Sequence, residues 1–398
     1  MKIMIIAAAG LPIPAYKGGA TETLVTELLK NIKNEDDLQI DVFSSCKKEA
    51  DYTDGEGNIK YFYIQQNLFD KLYTQFFRAL RLLFLKKINI PCAFARKLSK
   101  SIDLSKYDTI ILEGNKNQVN VIRKNYKGKI VLHIHTAMTF TKNTPFAKQI
   151  LSNCSFALGN SSYTASVIKE IDEAQSEKVI AYPNCIDTAL FREGATERAR
   201  AEIRRKYGIS QDEYVYIYCG RVEPRKGVKE LLQAFMQNGC NGRLMIVGAS
   251  WFSSQTKTEY IQELEKISEP IRDKVIFTGY IPHNELPAYY AAADMCVVPS
   301  VCEEAACLVV LEAQASNTPV IASDKGGIPE FIYEGFSTTV RCDESFVSNL
   351  ASEMEKRQEN PPVIEAREDF EDFLRKNDTQ QYYTNFKEIM KKVKLSDK

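Results

Sequence analysis

The sequence predicts an α/β protein built from two doubly wound parallel sheets, and three observations support this prediction. A chain of 398 residues exceeds what one hydrophobic core usually serves, so two domains of similar size are expected. Short apolar runs rich in β-branched residues alternate along the chain with segments of helical periodicity. The stretch 294–332 predicts a strand, a helix and a second strand, which is one crossover of such a sheet.

Seven short apolar segments are predicted to form the sheet of the first domain, residues 1–187. They are 3–8, 39–44, 60–64, 109–113, 129–135, 156–160 and 179–182. The segment 21–32 between the first two has an apolar stripe at helical spacing, which indicates an amphipathic helix. Strands and helices therefore alternate throughout this domain.

The second domain is predicted to span residues 188–372. Its strand candidates are 214–219, 243–248, 275–279, 295–299 and 318–323. The tail from 364 to 394 has aromatic and aliphatic residues at helical spacing and is predicted to be helical, with residues 373–398 as a separate terminal element.

Composition excludes several classes of protein. Lys+Arg and Asp+Glu both total 52, so no overall positive field favours nucleic acid as a partner. The ten cysteines include no C-x-x-C pair, which favours buried, reduced thiols over a metal or disulfide framework. Residues 1–10 imitate a short signal peptide, but they are better interpreted as a first strand. No apolar run is long enough to span a membrane, so we expect a cytoplasmic protein.

Two carboxylates flank the start of the helix within the 294–332 crossover. Ligands bind at the carboxyl ends of strands in doubly wound sheets, and Glu304 and Glu312 both lie there. If the helix begins near Cys307, its free N–H groups suit a phosphate. Glu312 would then accept hydrogen bonds from a ribose, and Glu304 would reach the group beyond the phosphate. The pattern indicates a nucleotide-linked ligand.

A second phosphate site is predicted in the loop Gly220-Arg-Val-Glu-Pro-Arg-Lys-Gly227, which follows a strand and precedes a helix. Arg221 and Lys226 are five residues apart and can bracket a diphosphate. Tyr280, at the end of a neighbouring strand, would face the base.

Several of these segments together resemble the signature of retaining glycosyltransferases of the GT-B fold, glycosyltransferase family four. The matching segments are Glu304-x7-Glu312, Pro299-Ser300, Pro319-Val-Ile-Ala-Ser, Gly326-Gly-Ile-Pro-Glu330, G-R-x-x-x-x-K-G and Tyr182-Pro-Asn-Cys-Ile-Asp. The resemblance implies two Rossmann-like domains facing a cleft, with the C-terminal helix crossing back to the first domain. It also implies a metal-independent enzyme without a cofactor, whose co-substrate is a nucleotide-diphosphate sugar, most readily a UDP-sugar.

The resemblance also assigns roles to individual residues. Glu304, His135, Arg221 and Lys226 would be catalytic, with His135 facing the acceptor. The donor-binding residues would be Gly18, Gly19, Arg221, Lys226, Tyr280, Glu304, Ala306, Cys307, Leu308, Val309 and Glu312. This sequence departs from the family at Cys185 and at Ala306-Cys307, where the family has Gly and aromatic-Gly respectively, and these departures affect backbone geometry.

The histidines at 133 and 135 end one predicted strand and lie on the same face. The sequence shows no third ligand near them, which argues against a metal. His133 is predicted to be a core residue. For His135 a buried core histidine is the alternative to the acceptor-facing role.

The segment 67–100 combines apolar residues at helical spacing with eight cations against one acid. Such a helix can lie on an anionic membrane, or it can pack against the domain with its cations solvated. The first interpretation predicts peripheral contact with the inner face of the cell membrane and a lipid-linked acceptor.

The predicted function is transfer of a sugar to a glycan or lipid-linked glycan in the synthesis of a cell-surface polysaccharide or glycoconjugate. Three alternatives stay open: a nucleotide-sugar epimerase of the same fold, a phosphorylase with pyridoxal phosphate, and a non-catalytic partner of another transferase. An epimerase would form product without an acceptor, a phosphorylase would need a Schiff-base lysine, and a partner would bind without turnover.

Overall fold

The computed structural model describes residues 1–8, 10–16, 19–33, 36–45, 57–65, 68–83, 92–136, 145–249, 258–364 and 367–396. For residues 71, 74, 78 and 81–83 only the backbone is described. The chain divides into two compact units. The first comprises Met1–Pro183 with Tyr382–Lys398, and the second comprises Asn184–Gln381.

The first unit is a seven-stranded parallel sheet with the strand order β3-β2-β1-β4-β5-β6-β7. Its strands are β1 (Lys2–Ile6), β2 (Gln39–Ser44), β3 (Ile59–Tyr63), β4 (Thr109–Glu113), β5 (Lys129–Ile134), β6 (Phe156–Gly159) and β7 (Val179–Ala181). All seven predicted segments form strands of this sheet, which confirms the doubly wound prediction. The order reverses between β1 and β4, so a crevice is expected at their carboxyl ends.

Helices connect the strands of the first sheet. They are α1 (Ala20–Lys30), α2 (Leu68–Leu83), α3 (Ala93–Ser101), α4 (Asn117–Arg123), α5 (Pro145–Asn153) and α6 (Ser162–Lys169). Consecutive residues of β1, from Ile3 to Ile6, are fully buried. Alternate side chains of a strand point to opposite faces, so both faces of the sheet are covered, as in other parallel sheets.

The second unit contains a six-stranded parallel sheet with the order β10-β9-β8-β11-β12-β13. Its strands are β8 (Val215–Cys219), β9 (Arg243–Val247), β10 (Val275–Gly279), β11 (Met295–Val298), β12 (Val320–Ser323) and β13 (Thr338–Val340). The sequence predicts the first five and misses β13, which has only three residues. Here the order reverses between β8 and β11.

The helices of the second unit complete this α/β layer arrangement. They are α7 (Thr188–Gly194), α8 (Glu197–Lys206), α9 (Val228–Gln237), α10 (Glu259–Ser268), α11 (Leu286–Ala292), α12 (Leu308–Ala315), α13 (Phe346–Glu359) and α14 (Arg367–Lys376). The predicted continuous helix from 364 to 394 is interrupted, because Asn377 and Asp378 separate α14 from α15 (Thr379–Leu395). No helix of the described residues is long and apolar enough to cross a bilayer.

The last helix, α15, returns to the first unit. Its apolar residues Tyr382, Phe386 and Val393 are buried, and the hydroxyl of Tyr182 donates to the carbonyl oxygen of Tyr382 at 3.1 Å. The first unit therefore contains both ends of the chain. The sequence placed the domain boundaries after residues 187 and 372, whereas the units divide after Pro183 and Gln381, because Phe370 and Leu374 of α14 belong to the second core.

Candidate active site

Two loops meet at the switch point of the second sheet, where β8 and β11 are neighbours. One loop follows β8 and ends at Gly227, and the other follows β11 and begins at Pro299. Gly227 has φ 73°, and a Cβ there would lie 1.8 Å from the carbonyl oxygen of Pro299. Only glycine permits this approach of the two backbones. The contact brings residues 226 and 304, which are far apart in sequence, to the same point.

Lys226 and Glu304 form an ion pair at this point. The Nζ of Lys226 lies 2.5 Å from Oε1 of Glu304, and the hydroxyl of Ser300 donates to the same oxygen at 2.8 Å. Both side chains are mostly buried, with 20% and 13% of their surface exposed. Within the described part of the chain Oε2 of Glu304 has no hydrogen-bond partner, so it can accept from a bound hydroxyl.

The backbone of Glu304 is fixed by the glycine pair that follows β12. The N–H of Gly327 donates to the carbonyl oxygen of Glu304 at 2.8 Å. Gly326 has φ 62°, and a Cβ there would lie 2.2 Å from that oxygen. The Gly326-Gly327 pair therefore holds Glu304 in place, which gives a physical reason for this part of the sequence pattern.

The N-terminus of α12 lies directly after Glu304 in the chain. Cys307 is the N-cap residue, and no side chain caps the helix. Its first backbone N–H groups are thus available to an anion, as the sequence predicts for Ala306, Cys307, Leu308 and Val309. Burial raises the pKa of Cys307 to about 12, so its thiol stays protonated at neutral pH.

The two cysteines that replace family glycines do not strain the backbone. Cys307 has φ −114° and ψ 92°, an ordinary extended conformation. Among the described residues, the only non-glycine residues with positive φ are Cys240 and Asn317, so Cys185 also lies outside the left-handed region. The replacements are therefore compatible with the geometry of this site.

Arg221 lies one-third exposed in the same loop as Lys226. Its Nη2 is 3.3 Å from Oε1 of Glu223, and Nε of Arg225 donates to the same oxygen at 2.7 Å. Glu223 thus holds two guanidinium groups in the loop. The sequence pattern singles out neither Glu223 nor Arg225, because their roles follow from contacts within the folded loop.

Glu312 lies on the second turn of α12 with its carboxylate almost fully buried. Its Oε2 accepts from the hydroxyl of Tyr290 at 2.9 Å, and its Oε1 lies 3.1 Å from Nε2 of His283. Tyr280 follows Gly279, the last residue of β10, and is 40% exposed. His283 and Tyr290 were not predicted, because their role depends on the packing of α11 against α12.

A separate cluster lies at the switch point of the first sheet. Glu113 ends β4, and its Oε2 lies 2.7 Å from Nε2 of His135 and 3.0 Å from Nδ1 of His133. Burial opposes the charged form of Glu113, but His133 and His135 outweigh it and lower the pKa of Glu113 to about 2. The expectation that no third potential ligand lies near the histidines is therefore wrong, because β4 is the neighbour of β5.

These three residues could hold a cation by spacing alone, since one ligand atom from each lies within 4.8 Å of the others. Metal-bound histidines almost always donate their other ring N–H to an acceptor. The Nε2 of His133 is buried without a partner. The donor set therefore fits a metal poorly, and metal independence stays a prediction.

The first turn of α1 lies against this cluster. Gly19 is the N-cap of α1 with φ 109°, and a Cβ there would lie 2.3 Å from Oε2 of Glu22. Burial raises the pKa of Glu22. Gly18, the other member of the predicted glycine pair, lies outside the described residues.

The second unit, which contains the loop with Arg221 and Lys226 and the helix α12 with Glu312, matches a known family. Residues 199–377 match the family described as glycosyl transferases group 1. The second unit therefore contains the group 1 glycosyltransferase domain. The match covers almost all of the second unit, where Arg221, Lys226, Glu304 and Glu312 lie.

Curated relatives match this glycosyltransferase over most of its length. A putative glycosyltransferase, YtcC, of Bacillus subtilis is 27% identical over 342 residues, covering 83% of this chain and 77% of the relative. A lipopolysaccharide 1,2-N-acetylglucosaminetransferase of Salmonella typhimurium is 27% identical over 345 residues, covering 84% of each chain.

Solved structures share the fold of this glycosyltransferase. Anabaena Alr3699/HepE, crystallised in complex with UDP, superimposes with a TM-score of 0.73 at 18% identity, over 98% of this chain and 100% of that chain. Trehalose-6-phosphate synthase OtsA gives a TM-score of 0.74 at 12% identity, over 98% and 99% of the two chains. These likenesses confirm the GT-B fold predicted from the sequence.

Proposed function

We propose that this glycosyltransferase moves a sugar from a nucleotide-diphosphate sugar, most readily a UDP-sugar, to a glycan or lipid-linked glycan acceptor, with retention of anomeric configuration. The observation that carries the proposal is the Lys226–Glu304 pair at the switch point of the second sheet, directly before the uncapped N-terminus of α12. A cation, a carboxylate and free backbone N–H groups together suit a sugar linked to a diphosphate.

The chemistry of transfer explains why these groups are needed. The bond between the anomeric carbon and the diphosphate oxygen breaks, which places positive charge on the sugar and negative charge on the diphosphate. The acceptor oxygen then forms the new bond to the same carbon, and the proton of the acceptor hydroxyl leaves with the diphosphate. Arg221, Lys226 and the N–H groups of α12 would stabilise the diphosphate, because they are fixed before the charge develops. Glu304 would orient the donor hydroxyls through its unpaired Oε2. The charge on the leaving group is thus met by residues of this chain, without a metal or cofactor.

Two observations support UDP and a surface glycan in particular. Alr3699/HepE, which shares this fold, has been crystallised with UDP, and the Salmonella relative acts on lipopolysaccharide. In this chain Glu312 is held by Tyr290 and His283, so its remaining lone pairs point in a fixed direction and can accept from a ribose. Tyr280 is exposed enough to contact the base.

We also propose peripheral membrane contact through α2. Leu68, Phe69, Leu72 and Phe76 are all more than half exposed on this helix, although a soluble helix normally buries such residues. The same segment is rich in lysine and arginine. Exposed aromatic residues beside cations suit an anionic lipid surface, where a lipid-linked acceptor would be found.

The donor assignment is tested by comparing two conservative variants. Glu312→Gln should weaken UDP binding while leaving turnover of bound donor largely intact, because its carboxylate would touch only the ribose. Glu304→Gln should lower kcat more than UDP affinity, since its carboxylate would touch the reacting sugar. Binding is measured by calorimetry and turnover by release of UDP. Equal and small effects on both quantities would contradict the assignment.

The diphosphate assignment is tested by Arg221→Ala and Lys226→Ala, each expected to cost about 2 to 4 kcal/mol in transition-state stabilisation. Arg225→Ala is the matched control, because Arg225 also contacts Glu223 but is not predicted to bind the donor. If Arg225→Ala is as damaging as the other two, the loop acts through its fold and not through phosphate binding. Product formed without any acceptor would favour an epimerase.

A further inference from the structure

One carboxylate oxygen in the first unit accepts hydrogen bonds from two histidines. Oε2 of Glu113 lies 2.7 Å from Nε2 of His135 and 3.0 Å from Nδ1 of His133. Glu113 and His133 are directly paired across β4 and β5, and His135 follows two residues later on the same face. Glu113 and His133 are almost completely buried, and His135 keeps about one-tenth of its side chain exposed.

These contacts fix the tautomers of both histidines. An ionised carboxylate only accepts hydrogen bonds, so each ring nitrogen that faces Oε2 must carry a proton. His133 is therefore protonated on Nδ1 and His135 on Nε2. In a neutral His135 the other nitrogen, Nδ1, is then a hydrogen-bond acceptor. Within the described part of the chain Nδ1 of His135 has no hydrogen-bond partner.

We propose that Glu113 is a positioning residue for sugar transfer: it holds His135 as the Nε2–H tautomer, which leaves Nδ1 to accept a hydrogen bond from the attacking hydroxyl of the acceptor. This inference rests on the proposed function and on the acceptor-facing role that the family resemblance implies for His135. It assigns a role to a carboxylate that no sequence motif identifies.

The surroundings support a permanently charged Glu113 beside a neutral His135. His133 and His135 lower the pKa of Glu113 to about 2 against the effect of burial, so it is ionised throughout the neutral range. Burial, together with His133, lowers the pKa of His135. Among the described residues, Glu22 of α1 also faces the cluster, and burial raises the pKa of Glu22.

The backbone of His135 and the neighbouring ring of His133 supply further contacts. Nδ2 of Asn160 donates to the backbone carbonyl oxygen of His135 at 3.3 Å. The ring of His133 lies 4.1 Å from that of His135, centroid to centroid. His135 is thus held by several contacts, and the hydrogen bond from its Nε2–H to Glu113 selects the tautomer.

Nitrogen NMR tests the tautomer directly and does not depend on activity. The chain has three histidines, so the ring nitrogens of the 15N-labelled protein can be assigned by substituting one histidine at a time. We expect His135 in the Nε2–H form and His133 in the Nδ1–H form at neutral pH. A Nδ1–H or doubly protonated His135 would overturn the proposal. So would a stoichiometric metal ion in the purified protein, measured by elemental analysis.

Enzyme kinetics test whether the tautomer of His135 affects sugar transfer. Glu113→Gln should lower kcat/KM for the acceptor by about 10²-fold or more, because an amide can donate and no longer selects one tautomer. UDP binding, which we assign to Arg221, Lys226 and Glu312 of the second unit, should stay unchanged. The pH dependence of kcat/KM should shift as well, which a merely structural role would not cause. Glu113→Asp should recover part of the activity.

A matched control variant distinguishes the proposed role of Glu113 from the general effect of losing a buried carboxylate. Asp41 is also buried in the first sheet and accepts from the hydroxyl of Tyr107 at 2.7 Å. Asp41→Asn should leave kcat/KM and its pH dependence unchanged. Wild-type kinetics in Glu113→Gln, or equal losses in both variants, would overturn the proposal. If the wild-type protein transfers no sugar from any nucleotide sugar, the proposed function fails, while the NMR result still decides the tautomer.

Discussion

At Gly227 the backbone has φ 73°, and an added Cβ would lie 1.8 Å from a carbonyl oxygen. Gly227→Ala should therefore lower the free energy of unfolding by more than about 3 kcal/mol, because a left-handed alanine is strained and the two loops must separate. Chemical denaturation measures this loss. The variant should also lose UDP affinity, since the same contact places Lys226 beside Glu304.

Gly208 provides the control for Gly227. It has a similar φ of 64° after α8, but nothing lies within 4 Å of an added Cβ. Gly208→Ala should cost only the conformational strain, about 1 to 2 kcal/mol, with UDP binding unchanged. Equal losses of stability in the two variants would show that the close approach to Pro299 contributes little.

His135 makes the stability of the protein depend on pH. Burial lowers its pKa in the folded state, whereas in the unfolded chain it titrates near about 6.5. At a pH below about 6.5 the unfolded chain then binds more protons than the folded chain. The free energy of unfolding therefore falls as the pH drops from about 6.5 towards the lower pKa of His135 in the folded state. Between about pH 7.5 and about pH 5.5 the wild type should lose up to about 1 kcal/mol relative to His135→Gln. Parallel stability curves for the two proteins would contradict this expectation.

At the scale of elements, α2 differs from the other helices of the first unit in what it exposes. One side contacts α3, where the guanidinium of Arg96 lies 4.5 Å from the ring centroid of Tyr73. The other side exposes Phe69 and Phe76, by 79% and 59%. The sequence left open a membrane helix or a helix packed against the domain, and these exposed rings favour the first for part of the helix.

Liposome co-sedimentation tests the membrane contact of α2. Replacing both Phe69 and Phe76 by Ser should reduce binding to anionic vesicles at least about tenfold, because each buried aromatic ring contributes about 1.5 to 3 kcal/mol. Binding should also fall at high salt and when Arg78, Arg81, Lys86 and Lys87 become Glu. Lys86 and Lys87 lie outside the described residues, so their part in this prediction rests on the sequence alone.

The control for α2 is Val363→Ser, which removes an equally exposed apolar side chain in the second unit. Vesicle binding should not change in this variant. If the wild type binds anionic vesicles independently of salt, or does not bind them, α2 is better described as a helix packed on the surface of the protein, with a soluble acceptor. Either result would contradict membrane contact through α2.

At the scale of the whole molecule, the first unit depends on the last residues of the chain. Six apolar side chains of α15 are buried: Tyr382, Tyr383, Phe386, Ile389, Met390 and Val393. At about 1.5 to 3 kcal/mol each, their removal exceeds the stability of a typical domain. A chain ending at Gln381 should therefore lose the cooperative unfolding of the first unit.

Calorimetry shows how many units unfold cooperatively, and the shift caused by UDP identifies the transition of the second unit. The shortened chain should keep one unfolding transition that UDP raises, because Arg221, Lys226 and Glu312, to which we assign UDP binding, lie in the second unit. A chain ending at Leu395 is the control and should behave as the full chain. Two intact transitions after the longer deletion would show that the first unit folds without α15.

The sequence determined the strands of both sheets almost completely, because runs of buried β-branched residues and helical stripes are local patterns. It also indicated the loop with Arg221 and Lys226 and the helix with Glu312, since each feature lies within one short segment. The three-residue β13 and the break at Asn377 escaped prediction. Elements this short carry too little periodic signal, and packing sets their ends.

Only the tertiary structure decided which side chains meet. Lys226 and Glu304 come together because β8 and β11 are neighbours and Gly227 lets their loops touch. Glu113 reaches the two histidines because β4 lies beside β5, and the strand order places these residues at one register. The physical reason is common to both sites: a strand pattern fixes which face a residue occupies, whereas its partner depends on sheet order and on crossovers that bring distant segments together.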